Sequence, residues 1–280
     1  MTRIMQFYGG AVVPMRVPSD PEQVESAWQT HRGRLREWLG DLSASEWSTP
    51  TRCSAWDVTG LVQHLISGAQ FLGYTLHLAG KGEASRLLQG FDPQQTPAAT
   101  ADQFRGLSRE ELLGRLADMD TRVEQECHAL AGGGWDALAE APAGNVPAFM
   151  ALNHFLFDSW VHERDLLLPR GEDPTADEAE AAAVTSYVLA LACVAREEGM
   201  SNGPPVAFDV HITDLDRTVH VESTDDGSAA ATFTRTATTP QVSGRAGDLV
   251  DFVTGRQPEE APVGEPDALS RLHRLAELMA

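Results

Sequence analysis

The chain has 280 residues, 42% of them hydrophobic and 22% charged, ordinary proportions for a globular protein and evidence against wholesale disorder. Its 41 Asp and Glu outnumber its 21 Lys and Arg, for a net charge of −20. A surface this acidic repels phosphate backbones and anionic membranes, so nucleic acid and membrane are set aside as partners and a small molecule is expected. Three cysteines, Cys53, Cys127 and Cys193, lie far apart with no CxxC pair. Neither a disulfide framework nor a thiolate zinc site is indicated. The longest apolar run, Ala181 to Ala195, is shorter than the roughly 20 residues that span a bilayer. The N-terminus lacks the continuous apolar core of a signal peptide, and a cytoplasmic protein is expected. Nothing in the pattern specifies an oligomeric state.

Residues 1–19 read as an irregular arm broken by Gly9, Gly10, Pro14 and Pro18. Ser19 or Asp20 then caps a first helix that ends near Gly40, with Val24, Trp28, His31, Leu35 and Leu39 at helical spacing. After a loop containing Pro50, Ser54 or Asp57 caps a second helix over 58–79, stopped by Gly80 and Gly82. The stretch 83–106 has no clear period. A third helix covers 109–131 and ends on Gly132, Gly133 and Gly134; a fourth covers 147–168; an Ala-rich fifth covers 176–198. Beyond Gly199 the segments VAFDVHITDL, RTVHVES and AAATFTRTA alternate as short strands, with a turn at 225–227. Two short helices, over 246–254 and 266–278, close the chain. The fold class is therefore α+β: the arm 1–19, a helical bundle over 20–175, and a smaller α+β domain over 176–280.

The fourth helix, ALNHFLFDSWVHERDLLLP, carries the most chemistry. His154, Asp158 and His162 are spaced four apart. At about 100° per residue they share one helix face, with Asp165 on the same stripe. Apolar residues occupy most of the remaining circumference, and such a helix is buried. Its polar stripe then faces the interior, where a divalent metal satisfies imidazoles and carboxylates together. The pattern also admits the plainer reading of a solvent-facing stripe. A third ligand has to come from another helix. His64 on the second helix is the best placed, with His77 behind it; each also reads as an ordinary core histidine. No HExxH, GxSxG, P-loop or GxGxxG motif is present, so zincin, nucleophile-elbow and nucleotide-phosphate chemistries are not indicated.

Two segments carry a family resemblance. WSTPTRCSAWDVTGLVQHL resembles the opening signature of mycothiol-dependent maleylpyruvate isomerase-like proteins, and FDSWVHERDLLLP resembles their second signature. GRAGDLVDFVTGRQP is similar to the end of the sterol-carrier-like domain that many of them carry. The resemblance covers residues 20–280 and implies a DinB-type four-helix bundle followed by a sterol-carrier-like α+β domain. It also implies a divalent metal, usually zinc, held by His64, Asp158 and His162. The family often has Glu where this chain has Asp158, one methylene shorter, and His154 is the substitute ligand. Mycothiol is the implied thiol cosubstrate, ionised on the cation and aimed at a small electrophilic substrate in an isomerisation or an S-transfer. Arg256, and more weakly Arg105, are the implied catalytic arginines for an anionic substrate; each also reads as a surface residue. Two rivals accompany this reading. The same metal would hydrolyse a substrate through activated water. Alternatively the chain is a non-catalytic binding protein with a degenerate metal site and a pocket lined by Trp47, Trp56, Trp135 and Trp160.

Overall fold

Three of the long helices open on a side chain that caps them. In α1 (Pro21–Asp41), Asp20 accepts from the Gln23 backbone N–H at 2.8 Å and Gln23 answers in a capping box. In α2 (Val58–Gly80), Asp57 accepts from the Gly60 N–H at 2.9 Å. The short α3 (Thr96–Ala101) then precedes α4 (Arg109–Leu130), which begins with a capping box between Ser108 and Glu111. An antiparallel hairpin of β2 (Leu138–Ala141) and β3 (Gly144–Pro147) leads directly into α5 (Ala148–Leu167), which needs no side-chain cap. The structure, a computed structural model, describes residues 15–88, 91–92, 95–142, 144–174, 177–194, 205–224, 228–234 and 239–279. Most of the expected arm and the turn expected at 225–227 lie outside the described residues.

The second half is built on a six-stranded mixed sheet. Its strands are β1 (Met15–Arg16), β4 (Val206–Ile212), β5 (Arg217–Ser223), β6 (Ala229–Thr234), β7 (Val242–Gly244) and β8 (Val263–Gly264), in the order β1-β6-β5-β4-β7-β8. The β4–β5–β6 meander is antiparallel, whereas β1 joins β6 and β7 joins β4 in parallel. Residues read as part of an irregular arm, Met15 and Arg16, are thus an edge strand. Two helices, α7 (Ala246–Val253) and α8 (Pro266–Met279), pack beside α6 (Glu178–Val194).

The helix α6 joins the halves. Its Ala-rich sequence lets neighbours approach on every side, and Ala181 to Val194 are buried throughout. It packs on α1 and α5 on one side and on β5, β6, α7 and α8 on the other. One hydrophobic core accordingly runs from Leu72 and Trp160 of the bundle through Tyr187 to Val210, Val221 and Leu249 of the sheet side. A second core fills the far end of the bundle, around Leu39, Leu61, Leu116 and Leu166. Among the described residues, no helix is long and apolar enough to cross a membrane.

Candidate metal centre and cavity

As an interior helix, α5 should bury its polar residues, and the structure does so with a separate partner set for nearly each one. Ser159 bonds His31 at 2.8 Å and Arg32 at 2.9 Å. Glu163 takes a two-pronged bond from Arg34 at 2.9 Å. Arg164 donates to Asp251 of α7 at 2.9 Å. The remaining stripe, His154, Asp158, His162 and Asp165, runs beside a cavity of about 1190 Å³ enclosed by α2, α4, α5, α6 and α8.

At its floor, His64 of α2 meets α5. His64 Nε2 lies 3.3 Å from Asp158 Oδ2, and His162 Nε2 lies 3.6 Å from Asp158 Oδ1. The two imidazoles meet edge to face, with centroids 4.8 Å apart. One donor atom from each of His64, Asp158 and His162 falls within a 4.8 Å span. Both ring nitrogens of His64 are shielded from solvent, and neither makes a hydrogen bond. Buried imidazole nitrogens ordinarily have partners. An imidazole without a hydrogen bond whose Nε2 converges with a second imidazole on a carboxylate offers the donor set of a divalent cation, so the residues fit a metal. Burial alone would raise the Asp158 carboxyl, but the adjacent His64 and His162 hold it well below the usual carboxylate range. Burial pushes the His162 imidazole down, against the pull of Asp158 and Asp165.

The surroundings orient these groups. His162 Nδ1 is 2.9 Å from Asp165 Oδ2. A carboxylate there holds the proton on Nδ1 and leaves Nε2 free toward Asp158, the usual support for a ligating histidine. Asp165 is itself gripped by Arg256 (Nε to Oδ1, 2.9 Å; Nη2 to Oδ2, 2.8 Å) and Arg52 (Nε to Oδ1, 3.0 Å). Arg52 forks onward to Asp251 with two bonds of 2.9 Å. Burial would raise Asp165, yet His162 and Arg256 hold it far below the ordinary range. Arg256 is aimed by the end of α7. The Arg256 N–H reaches the Asp251 carbonyl at 2.8 Å across Gly255, whose φ of +76° suits glycine. Cys53 donates from Sγ to Asp165 Oδ2 at 3.1 Å, and burial together with the Asp165 charge pushes its thiol up to about 12. Trp56 stacks on His64 with centroids 4.9 Å apart and shields it.

The other residues singled out in the sequence stand elsewhere. His154 lies outside the ligand cluster; its Nδ1 bonds the Tyr187 hydroxyl at 2.8 Å, and burial lowers its pKa to about 4. His77 pairs with Glu126 at 3.2 Å, well along α2. Arg256 does line the cavity, but its guanidinium is committed to Asp165. Arg105 is not brought to the cluster. It follows the turn at 102–104, whose Gln103 and Phe104 line the cavity, but its own side chain is exposed, pairs with its neighbour Asp102, and does not line the cavity. The lining arginines on the bundle side are Arg115 and Arg122 of α4, which the sequence reading did not single out. Of the four tryptophans expected in a pocket, Trp56 alone lines the cavity; Trp47, Trp135 and Trp160 are core. Sequence reasoning also missed Glu140. This fully buried carboxylate on β2 accepts the Leu87 and Leu88 N–H groups at 2.8 and 2.9 Å and so holds the loop that walls the cavity mouth.

A four-helix bundle with a His–Asp–His cluster under a large cavity, walled partly by an α+β half, defines the class of molecule. The profile of the mycothiol maleylpyruvate isomerase N-terminal domain matches residues 28–167, half of the chain, and the chain belongs to that family. The fold is similar to the crystal structure of the mycothiol-dependent maleylpyruvate isomerase, with a TM-score of 0.60 and 16% identity over 88% of this chain and 95% of that one. It is also similar to a histidine-to-alanine mutant of that enzyme, with a TM-score of 0.62 and 14% identity over the same shares. No curated protein matches the chain.

Proposed function

We propose that the protein is a metal-dependent enzyme that uses a low-molecular-weight thiol, mycothiol, to transfer sulfur to a small electrophile or to isomerise it. The observation that carries this is the convergence of His64, Asp158 and His162 at the floor of a cavity large enough for two small molecules. Zinc held by these three side chains would supply a cation that keeps a thiol ionised at neutral pH. Asp165 keeps the His162 proton on Nδ1 and the ligating face of the ring toward Asp158. Trp56, stacked on His64, excludes water from one side of the cluster. Among the described lining residues Cys53 is the one cysteine, and it is engaged by Asp165, so the nucleophile comes from a diffusible thiol. In a transfer, the thiolate sulfur bonds the electrophilic carbon of an activated alkene, the π pair moves to the neighbouring carbon, and that carbon takes a proton. In an isomerisation the adduct rotates about the new single bond and expels the same thiolate, restoring the alkene. Membership of the mycothiol maleylpyruvate isomerase N-terminal domain family supports the choice of thiol.

Elemental analysis of untagged protein tests the metal, and turnover with and without added mycothiol tests the thiol. Stoichiometric zinc in the wild type, lost in His162→Ala together with thiol-dependent turnover, is the expected result. Turnover that persists in His162→Ala, or is indifferent to thiol, would remove this reading.

A further inference from the structure

The cavity has a marked distribution of polarity. Away from the His64–Asp158–His162 floor, the α5 and α6 side of the wall presents Phe155, Phe157 and Leu191, and α8 adds Leu275. Phe71 of α2 faces Phe155 with ring centroids 5.9 Å apart. Toward the mouth, Tyr74 and Leu87 are large apolar side chains left 46% and 64% exposed. Gly68 opens the space between the rings and the floor. A Cβ there would sit 3.4 Å from the Phe155 ring and 4.0 Å from Asp158 Oδ2.

Charges along the described lining follow a complementary pattern. They are Asp158, Arg115, Arg122 and Arg256. Arg256 is spoken for by Asp165, and Arg122 by Glu126 at 2.7 Å. Arg115 is exposed. With the open position of the proposed metal given to the thiol, no buried cation among these side chains is left for an incoming carboxylate, and an unpaired charge is strongly disfavoured in apolar surroundings. The lining also carries Ser67, Gln70, Thr100, Gln103 and Thr254, but the polar group in contact with the Phe155 and Phe157 rings is His154, bonded behind the wall to Tyr187 and neutral at physiological pH because burial lowers its pKa to about 4. A neutral imidazole suits a neutral hydrogen-bonding substituent, not an anion.

We infer that the electrophile is an uncharged aromatic compound with one hydrogen-bonding substituent, seated against Phe71, Phe155 and Phe157, and not a dicarboxylate such as maleylpyruvate. The inference rests on the functional reading above, since it takes the cavity to be where substrate meets the thiol. A phenyl-substituted enone has the required chemistry. Its ring fills the apolar wall, its carbonyl meets His154, its β-carbon forms the C–S bond, and its α-carbon takes the proton.

Calorimetry on the full chain as purified, with trans-4-phenylbut-3-en-2-one and maleylpyruvate in turn, tests this without reference to turnover. The aryl enone is expected to bind at least about tenfold tighter, the scale on which apolar pockets discriminate. Gly68→Leu fills the seat beside Phe155 while improving helix propensity, so it should fold and lose about tenfold or more in enone affinity. Phe155→Ala should weaken the enone similarly, and the Gly68→Leu result stands if that variant fails to fold. Tighter binding of maleylpyruvate, or enone binding unmoved by Gly68→Leu in a folded protein, would overturn the inference. Thiol-dependent turnover of both compounds then separates the two proposals. An enone that binds but never reacts with mycothiol supports the cavity assignment and sinks the thiol chemistry. Turnover of maleylpyruvate with no enone binding does the reverse.

Discussion

Asp165 is the residue on which most of the site depends, although it is not one of the three candidate ligands. It receives His162, Arg256, Arg52 and Cys53 at once, in a fully buried position. Asp165→Asn should cost about 10–100-fold in metal affinity, because the proton on His162 Nδ1 loses its carboxylate partner. It should also cost about 3 kcal/mol of stability, since two guanidinium groups lose a buried counter-charge. Zinc titration against a competing chelator and denaturant melts measure the two effects separately. His154→Asn is expected to leave zinc stoichiometry unchanged, because His154 pairs with Tyr187 and not with the cluster; elemental analysis checks it. The two histidines flank Asp158 symmetrically in sequence, four residues on either side. Only the partner presented by another helix separates a ligand position from a wall position.

Between elements, the sharpest feature is the ionic spine joining α1, α5 and α6. Arg34 bonds both Glu163 and Glu180, and His31 reaches Glu180 at 3.2 Å with no exposure to solvent. This His–Glu–Glu grouping has metal-like composition. Arg34 already supplies the cation, so the cluster serves as a clamp. Removing it in Arg34→Ala strands two buried carboxylates and should cost about 3–5 kcal/mol. Glu180 gives the clamp a pH signature. Burial would raise its carboxyl, but His31 and Arg34 hold it below the ordinary glutamate value. Its stabilisation is therefore complete above the unfolded glutamate pKa of about 4.3 and is lost as pH falls below it. The stability gap between wild type and Glu180→Gln should shrink on acidification, read by melts from neutral to acid pH. A second contact joins α5 to α7: a Cβ on Gly247 would lie 2.7 Å from the Arg164 guanidinium. Gly247→Ala should displace Arg164 from Asp251 and cost about 1–3 kcal/mol, measurable by the same melts.

At the scale of the whole molecule, the helical half and the sheet half share a core through α6 and share an ionic network beside the candidate metal centre. Asp251 of α7 holds Arg52 and Arg164, and Arg52 holds Asp165. Coupling of this kind predicts an effect at a distance. Asp251→Asn should lose about 3–5 kcal/mol of stability and weaken metal binding, although Asp251 contacts no candidate ligand. A zinc affinity unchanged in a folded Asp251→Asn protein would show that the sheet half does not support the site.

Much of this was legible beforehand, and the physical reason is locality. Helices over 21–41, 58–80, 109–130 and 148–167 announce themselves through caps, period and glycine stops, all encoded within a few residues. His64, Asp158 and His162 could be named because four-residue spacing fixes a helix face and because the signatures resemble a family; that they converge was for the tertiary structure to decide. The missed elements are those whose pairing lies far away in the chain. Met15 and Arg16 become a strand only because β6 offers its edge, and the 138–147 hairpin is too short to show a period. Arg105 and Arg115 look alike in sequence, yet one lies on the outer surface and the other on the cavity wall. Sequence by itself determined the class of fold, and it named the helix and the residue types of the candidate site. Tertiary structure alone decided which cations stay committed, which walls are apolar and how α6 unites the halves. Those properties belong to contacts between residues far apart in the chain, such as Arg256 with Asp165 and Arg34 with Glu163, and no local pattern encodes them.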